Sequence, residues 1–573
     1  MIQPGLERIA KLLQQASFPW RSIHVAGTNG KGSICHLASS LLTHRRIKTG
    51  RFTSPHLVDR WDCISIDNEV VDESLFRKVE AHYTNLSLQK NINASSFEIL
   101  TATAFHIFTE SRVDIGVVEV GLGGKLDATN ILDNQIVSVI SKIGRDHEGF
   151  LGNSLEEIAK HKAGILRPKV PYIVNPSNEM NVKNVITQYA QEIWAGTQLN
   201  DQNANMRELY HMDNWKRLNK TLLPFQRDNA ILAILAVKQA ARALKFNYHN
   251  DKLATHLVSY VRHKSHAGRQ QYVPVPAIFG SESQRRVLVD GAHNPDAAKE
   301  LSSLVAKTER RRQTTGDRPL SKGHVRPVTW VLAMTEGKDS KQYLEQLLEP
   351  HDNVVATTYG PVDGMPWVKP MDPQQLLDKA QSIHSGIMGI TVTEPDPLRA
   401  LSAAKALAGY DHSIVLTGSL YLIGDFHRSL RVWEERRARG EVEHETSLAL
   451  LKDMKQMQDE ERHRVNHLLS SLPTDTHICS TAERPDHPGF RDRRRLLQEQ
   501  LEAIDREMIS FAAEHSIIPA KKRSSQGQRQ RQRNRANASL ARPEEDKPLR
   551  IRKQMQSPVR YMKYGKHGET VLL

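Results

Sequence analysis

The chain has 573 residues, of which 39% are hydrophobic and 25% charged, enough for three to four domains. It contains no apolar run long enough to span a membrane, no secretory signal, and three cysteines (Cys35, Cys63 and Cys479) without metal-ligand spacing, so a cytoplasmic protein is predicted, with a mitochondrial location as the alternative. Residues 521–573 hold fifteen Lys or Arg and four Asp or Glu, a balance of +11 out of the net +14, so the basic character belongs to the tail.

The first predicted elements are a strand, a glycine-rich turn and a helix. The apolar run 23–27 (IHVAG) indicates a strand, and residues 33–46 carry apolar side chains at helical spacing. The intervening sequence departs from the common phosphate-loop pattern, since too few residues separate its first two glycines. The strand–turn–helix context is nevertheless the one that a phosphate-binding loop requires.

The chemistry of this turn supports the same interpretation. Glycines at positions 27, 30 and 32 allow backbone N–H groups to surround phosphate oxygens at the positive end of the helix. Lys31 can reach the β- and γ-phosphates, and Ser33 can ligate Mg²⁺. We therefore predict a phosphate-binding loop; the alternative is a tight structural turn with a surface lysine.

Two further apolar runs, 113–121 and 136–144, indicate buried parallel strands. Glu119 lies at the end of the first run, and His147 follows the second. Ligands bind beyond the carboxyl ends of strands in open parallel sheets, where a carboxylate and an imidazole suit Mg²⁺ held together with phosphates. The alternative is that both are hydrogen-bonded loop residues.

The segment 153–166 predicts a helix with Asn153 or Ser154 as its N-cap. A second α/β region begins near residue 270, after a boundary placed at 264–272. Residues 285–294 are predicted to be a strand followed by a turn, 327–334 and 413–424 are two more strand-like runs, and the polar stretch 307–326 is predicted to be a surface insertion. After about residue 430 charged helices are predicted, including a short heptad-like stripe at Leu497, Leu501, Ile504, Met508 and Phe511, and 521–542 is predicted to be disordered.

Several stretches together resemble the folylpolyglutamate synthase and dihydrofolate synthase family, within the ATP-dependent Mur-ligase-type amide synthases. They are LERIAKLL, HVAGTNGKGS, FTSPHLVDR, SFEILTATAF, VVEVGLGGKLDATN, SKIGRDHEGFLGNSLEEIAKHKAGI, LVDGAHNPDAA and LTGSLYLIGD, in the family's order over residues 2–428. The resemblance implies an α/β fold with an N-terminal Mur-ligase-like P-loop domain built on a parallel sheet and a second, smaller Rossmann-like domain. The predicted organisation is 1–266, 267–430, a charged helical extension over 431–520 and a basic disordered tail over 521–573.

The resemblance also implies roles for individual residues. The nucleotide site would comprise Thr28, Asn29, Gly30, Lys31, Gly32, Ser33, Asn229, Arg269 and Asp290. The magnesium ligands would be Ser33, Ser54, Glu119 and His147, and Lys162 matches a lysine that is carbamylated in this family. The pterin pocket would be formed by Ser95, Ser96, Phe97, Glu98, Leu126, Asp127 and Ala128, whereas Gln3 stands where the family has an acidic residue.

The implied activity is that of an acid–amino-acid ligase that forms ADP. ATP converts a carboxylate to an acyl phosphate, glutamate's amine attacks, and phosphate leaves. Lys31, Lys162 and Arg269 are the predicted catalytic residues, two Mg²⁺ ions would share Glu119, and the second domain would close over ATP. The expected partners are small molecules: ATP, L-glutamate, and dihydropteroate or a folate. The protein is expected to be a monomer that does not bind a membrane.

Three features favour the dihydrofolate synthase branch over the folylpolyglutamate synthase branch: the loop GTNGKGS, the motif GAHNPD, and the start of the chain directly at GLERI. Polyglutamate extension of reduced folates stays the alternative, and a peptidoglycan-type ligase is disfavoured by GGKLDATN and HKAGI. A remote hypothesis makes the body an ATPase and the basic tail a nucleic-acid-binding segment. The simpler interpretation of the tail is a solvated, disordered extension, and a contact for a partner protein is the next alternative.

Overall fold

A computed structural model of the chain describes residues 5–14, 16–200, 209–211, 213–246, 267–281, 283–310, 326–408, 412–439 and 441. Gln3, Cys479, the tail and nearly all of the predicted charged extension lie outside these residues. The described part contains two open α/β sheets. We call residues 5–246 the first sheet region and residues 267–439 the second sheet region.

The first sheet has seven strands in the described residues, in the order β4-β3-β2-β5-β1-β6-β7. The strands are β1 (Arg21–Ala26), β2 (Thr49–Phe52), β3 (Ile64–Ile66), β4 (Glu69–Val70), β5 (Ile115–Glu119), β6 (Gln135–Ile140) and β7 (Tyr172–Val174). Strands β2, β5, β1, β6 and β7 run parallel, as predicted.

The edge of this sheet departs from the parallel prediction, because β3 and β4 are antiparallel. Asp67 and Asn68 join them with φ angles of 51° and 68°. Two consecutive left-handed residues make a tight hairpin turn whose twist matches that of the strands, and short polar side chains tolerate that conformation. The sheet is therefore mixed, with a parallel core and an antiparallel edge.

Helices cover both faces of the first sheet. They are α1 (Glu7–Leu12), α2 (Lys31–His44), α3 (Glu73–Gln89), α4 (Ser96–Glu110), α5 (Glu148–Leu151), α6 (Leu155–Ala163), α7 (Met180–Glu192), α8 (Asp213–Thr221) and α9 (Pro224–Ala243). Helices α2 and α9 contribute to one buried apolar cluster with the central strands, and α1, α3 and α4 contribute to another. Because β5 is buried over its whole length, its sequence IGVVE is apolar until the final glutamate.

The second sheet has the order β12-β11-β10-β13-β9-β8, parallel except for the edge strand β8. Its strands are β8 (Gln271–Pro274), β9 (Arg286–Val289), β10 (Val328–Leu332), β11 (Asn353–Ala356), β12 (Met388–Thr391) and β13 (Ser413–Thr417). Its helices are α10 (Pro276–Phe279), α11 (Pro295–Thr308), α12 (Ser340–Leu347), α13 (Pro373–Ile383), α14 (Pro397–Ala408) and α15 (Leu420–Ala438). Apolar clusters fill both faces.

One strand prediction is wrong in its second half. The run 413–424 contains a strand only to Thr417, and α15 begins at Leu420. Gly418 has a φ of 100°, and the Ser419 hydroxyl accepts a hydrogen bond from the Tyr421 amide, so the turn ends the strand and caps the helix. An apolar run of this length does not by itself distinguish a strand from a buried helix.

The predicted helix over 153–166 is shorter in the structure, spanning Leu155–Ala163. Ser154 is its N-cap, and Glu157 completes a reciprocal capping box, which decides between the two predicted caps. The helix after the glycine-rich turn begins at Lys31, two residues before the predicted start. No helix in the described part of the chain is both long and apolar enough to cross a bilayer. The proposed domain boundaries stay predictions.

Candidate active site

The glycine-rich loop joins β1 to α2, with Gly30 as the N-cap of the helix. Gly30 has a φ of 89°, and a Cβ there would lie 2.4 Å from Oδ1 of Asn229, so both the conformation and the space require glycine. The amides of Thr28 and Asn29 donate to the carbonyl of Lys142 at 2.8 and 3.1 Å. The loop is thus held between α9 and the end of β6, with the N–H groups of the first turn of α2 at its edge.

Glu119 lies beside this loop at the carboxyl end of β5. Its Oε1 is 3.8 Å from Nζ of Lys31, and its Oε2 accepts the Ser54 amide at 3.2 Å. Burial raises the pKa of Glu119, although the charges of Lys31 and Arg269 and the Ser54 hydrogen bond oppose the rise. A Cβ on Gly32 would lie 3.3 Å from the same carboxylate, so the loop approaches Glu119 closely because it is glycine-rich.

Lys162 reaches the start of the loop from the neighbouring helix α6. Its side chain is 4% exposed, and its Nζ donates to the carbonyl of Gly27 at 2.8 Å. Burial, together with the positive charge of Lys31, lowers the pKa of the Lys162 amine to about 7. A large fraction of this amine is therefore neutral near pH 7, so it can react as a nucleophile.

His147 follows the loop that ends β6 and has a φ of 56°. The side chain is 47% exposed, and its partial burial lowers the pKa of the imidazole although Asp146 opposes the shift, so a neutral ring can act as a ligand at pH 7. The preceding residue, Asp146, accepts a hydrogen bond from Lys338, and its Oδ2 lies 3.7 Å from Nε2 of His293. Although burial opposes the shift, His293 and the neighbouring positive charges hold the pKa of Asp146 well below its usual range.

The second sheet region brings Arg269 and Asp290 to this place. The Asp290 carboxylate accepts the amides of Gln270 at 2.9 Å and Ala292 at 2.8 Å, which ties the loop before β8 to the loop after β9. A Cβ on Gly291 would lie 3.1 Å from Nη1 of Arg269, so the guanidinium lies against that second loop. Burial raises the pKa of Asp290, and the Arg269 charge opposes it.

The predicted substrate residues 95–98 form the first turn of α4. Ser95 and Glu98 cap the helix reciprocally: the Glu98 amide donates to Oγ of Ser95 at 3.2 Å, and the Ser95 amide donates to Glu98. Arg8 also donates to Glu98 at 2.9 Å. Phe97 stacks on Phe52 with ring centroids 6.1 Å apart. These contacts give Ser95 and Glu98 a structural role, and the pocket role of residues 95–98 stays a prediction.

The second predicted substrate segment is a capped 3₁₀ turn. The Asp127 carboxylate accepts the amides of Leu122 at 2.8 Å and Thr129 at 3.0 Å. Burial raises its pKa. Leu126 is 43% exposed, whereas Ala128 is buried. Of these three, Leu126 is the side chain most available to a ligand, and Asp127 holds the turn that presents it.

The sequence predicted that Arg269 and Asp290 join the site from the second domain, but it did not predict which other side chains connect the two sheet regions. Asn29 of the loop pairs with Asn294, which begins α11, and Asp146 meets Lys338. The motif GAHNPD contained the signal for Asn294, since an asparagine before a proline is typical of a helix cap. In the described part of the chain, no group of three or more His, Cys, Asp or Glu side chains is placed to hold a metal ion.

Two family models match the chain. Residues 25–219 match the Mur ligase middle domain, and residues 277–431 match the C-terminal domain of dihydrofolate synthetase. The first match contains the loop, Glu119 and Lys162, and the second contains Asp290. The two models therefore correspond to the two sheet regions that meet at the site.

Similar proteins extend over both regions. The chain is 34% identical over 443 residues to a probable dihydrofolate synthetase of Schizosaccharomyces pombe, covering 75% of this chain and 99% of that protein. It is 34% identical over 434 residues to the dihydrofolate synthetase of Saccharomyces cerevisiae, covering 74% and 98%.

Two solved structures have the same fold over both regions. Escherichia coli FolC in complex with DHPP and ADP is similar with a TM-score of 0.58 and 25% identity, over 76% of this chain and 94% of that one. Mycobacterium tuberculosis folylpolyglutamate synthase complexed with ADP is similar with a TM-score of 0.60 and 26% identity, over 75% and 95%.

Proposed function

Because the chain belongs to the family of dihydrofolate synthases and folylpolyglutamate synthases, within the Mur-type ligases, we propose that it joins L-glutamate to 7,8-dihydropteroate at the expense of ATP. The product is dihydrofolate, with ADP and phosphate released. The observation that carries the proposal is the arrangement of a glycine-rich loop, a buried Glu119 paired with the partly exposed Lys31, and a buried Lys162, with the Arg269 charge near enough to affect Glu119. The two fungal relatives of similar sequence, both dihydrofolate synthetases, favour dihydropteroate as the acceptor.

The reaction needs activation of a carboxylate, because a carboxylate does not react with an amine at neutral pH. Transfer of the γ-phosphoryl group of ATP to the dihydropteroate carboxylate gives an acyl phosphate. Attack by the amine of glutamate on the acyl carbon forms the amide bond, and inorganic phosphate leaves. Loop amides and Lys31 hold the β- and γ-phosphates, and Arg269 supplies positive charge from the second sheet region.

A divalent metal fits the residues around Glu119. The carboxylate is buried and is compensated by Lys31 only at 3.8 Å, and the hydroxyl-bearing residues Ser33 and Ser54 lie on the two segments that border it. Carboxylate and hydroxyl oxygens are the ligands that Mg²⁺ prefers. We propose Mg²⁺ held by Ser33, Ser54, Glu119 and His147, with Glu119 shared by two ions; the metal would neutralise phosphate charge.

Carbamylation of Lys162 is part of the proposal. The ammonium form first loses one proton; the neutral amine then attacks the carbon of CO₂, a nitrogen–carbon bond forms as one C=O π bond opens, and a second proton leaves the nitrogen. The net change replaces a cation with a carboxylate-like anion. Its low pKa supplies the neutral amine, and Lys31 lies near enough to affect its charge. The buried position also protects the group from solvent.

The acceptor pocket is proposed to lie between the first turn of α4 and the 3₁₀ turn that begins at Ala128. The exposed side chain of Leu126 and the ring of Phe97 would contact the pterin. Ser95, Ser96, Glu98, Asp127 and Ala128 are the remaining proposed pocket residues. Glu98 and Asp127 would act mainly by holding these two turns in place.

Extension of a folate polyglutamate tail is the second candidate, since it uses the same chemistry. It differs in the acceptor alone, so the phosphate loop, Glu119 and Lys162 would serve either reaction. The nucleic-acid hypothesis concerns the tail, which lies outside the described residues. Its test is loss of RNA binding on removal of residues 521–573.

The direct test is product formation. Incubation with MgATP, L-glutamate and dihydropteroate should yield dihydrofolate by mass spectrometry, and Lys31→Met should form it at least about a hundredfold more slowly. In the absence of glutamate, hydroxylamine should trap the acyl phosphate as the hydroxamate of dihydropteroate. Absence of both products from the wild-type chain would refute the proposed function.

A further inference from the structure

We propose that Asn29 and Asn294 form a positioning pair that couples docking of the second sheet region to the geometry of the phosphate loop. The inference rests on the proposed function, since it concerns the loop that would hold ATP. Nδ2 of Asn294 donates to Oδ1 of Asn29 at 3.0 Å, and Nδ2 of Asn29 donates back to Oδ1 of Asn294 at 3.4 Å. The two residues are 265 positions apart in the sequence.

The orientation of this amide pair follows from a helix cap. Oδ1 of Asn294 accepts the Ala297 amide at 2.9 Å as the N-cap of α11. A reversed amide would place an NH₂ group against that N–H, so Nδ2 must face the first sheet region. Asn29 must then present its oxygen to Asn294. The cap therefore fixes the donor and the acceptor at both ends of the pair.

The loop has little freedom to absorb a change at Asn29. Its backbone amide is bound to the Lys142 carbonyl at 3.1 Å, and the next residue, Gly30, lies against the Asn229 side chain. The pair adds a contact from the second sheet region to a loop that is already fixed on two sides. A displacement of Asn294 would therefore shift the backbone amides that would surround the nucleotide phosphates.

Neighbouring contacts from the second sheet region also restrict the loop after β6, which contains Gly144 and Asp146. His293, adjacent to Asn294, approaches the Asp146 carboxylate at 3.7 Å, and Lys338 donates to the same group. A Cβ on Gly144 would lie 2.0 Å from Oδ2 of Asp296, so the two regions meet there without room for a side chain. His293 contacts the loop that contains Asp146, and Asn294 contacts the loop that contains Asn29. Docking of the second sheet region therefore constrains the proposed nucleotide site at two points.

The experiment is a double-mutant cycle with Asn29→Ser, Asn294→Ser and the double variant. Serine keeps the N-cap at position 294 but removes the amide that reaches Asn29. Asp372→Ser is the matched control, because Asp372 also caps a helix that begins with proline in the second region, with no contact to the loop. The readouts are KM for ATP, kcat, and hydrogen exchange of the peptide 24–33.

Each single variant should raise KM for ATP about 3- to 10-fold, the scale of one lost hydrogen bond, and the double variant should raise it no further than the larger single effect. Exchange in 24–33 should be faster in both singles and unchanged by combination, with the control like the wild type. A double effect equal to the product of the singles, or singles with wild-type KM and exchange, would overturn the inference. Hydrogen exchange of residues 24–33 tests the coupling of Asn29 and Asn294 without an activity assay. A wild-type chain without ligase activity would refute the proposed function, and the exchange result would still test this inference.

Discussion

The buried amine of Lys162 should make the free energy of unfolding increase as the pH rises above about 7. Its amine is buried, donates to the Gly27 carbonyl at 2.8 Å, and has its pKa lowered from 10.5 to about 7, mainly by burial. Between these values the unfolded chain keeps the proton that the folded chain releases. Because the unfolded state then binds more protons, the folded state gains stability as the pH rises from about 7.

The size of this change in the free energy of unfolding follows from the difference between the folded and unfolded pKa values of Lys162. A folded-state amine that is half protonated at pH 7 changes the free energy of unfolding by about 2 kcal/mol between about pH 7 and pH 9, at up to roughly 1.4 kcal/mol per pH unit. Lys162→Met removes this contribution. The stability of the wild type relative to the variant should therefore increase by about 2 kcal/mol over that range.

The assay is urea unfolding of both chains in CO₂-free buffer at pH 7, 8 and 9. Lys160→Met, an exposed lysine of the same helix, is the control and should follow the wild-type profile. Added bicarbonate should flatten the wild-type profile, because a carbamate no longer titrates as an amine. Parallel profiles of the wild type and Lys162→Met in CO₂-free buffer would refute the assigned burial and charge state.

Three other substitutions test the remaining parts of the structure. Lys31→Met should lower kcat/KM for ATP by roughly 10²- to 10³-fold through loss of charge at the phosphates, and a loss under tenfold in steady-state kinetics would contradict the loop assignment. Gly30→Ala should weaken ADP binding at least about tenfold in calorimetry, since a Cβ would lie 2.4 Å from Asn229 at a positive φ, whereas Gly149→Ala, with open space around it, should bind ADP like the wild type. Asp352→Asn should destabilise the fold by about 3–5 kcal/mol in urea unfolding, because Asp352 accepts Arg310, the Val328 amide and Trp330 in a buried site; a change below about 1 kcal/mol would show that the network is dispensable.

Features set by local chemistry could be predicted from the sequence. The strand, glycine turn and helix around Lys31 follow from periodicity and backbone freedom, and capping preferences narrowed the N-cap of α6 to Asn153 or Ser154. The run 413–424 failed because apolar composition alone does not reveal where Gly418 ends the strand. The antiparallel edge was missed because the turn at Asp67 and Asn68 is made by residues other than glycine.

The family resemblance grouped distant residues such as Lys31 and Arg269 in one site, but it did not predict individual side-chain contacts between distant segments. The pairing of Asn29 with Asn294, of Asp146 with Lys338 and of Arg8 with Glu98 depends on how separate elements pack. Sequence motifs brought attention to Glu98 as a substrate residue, whereas its neighbours show that it caps α4 and pairs with Arg8. The structural role of Glu98 depends on contacts made in the folded chain, so it could not be read from the sequence motif.

Acceptor-dependent phosphate release distinguishes ATP-dependent ligation of glutamate to dihydropteroate from extension of a polyglutamate tail. ATP, Mg²⁺ and L-glutamate are supplied with either dihydropteroate or tetrahydrofolate, and phosphate is measured against a reaction lacking acceptor. Phosphate release with dihydropteroate is expected to require glutamate and to fall at least about a hundredfold in Lys31→Met. Release with tetrahydrofolate alone would contradict the assigned acceptor and make the chain a polyglutamate synthase.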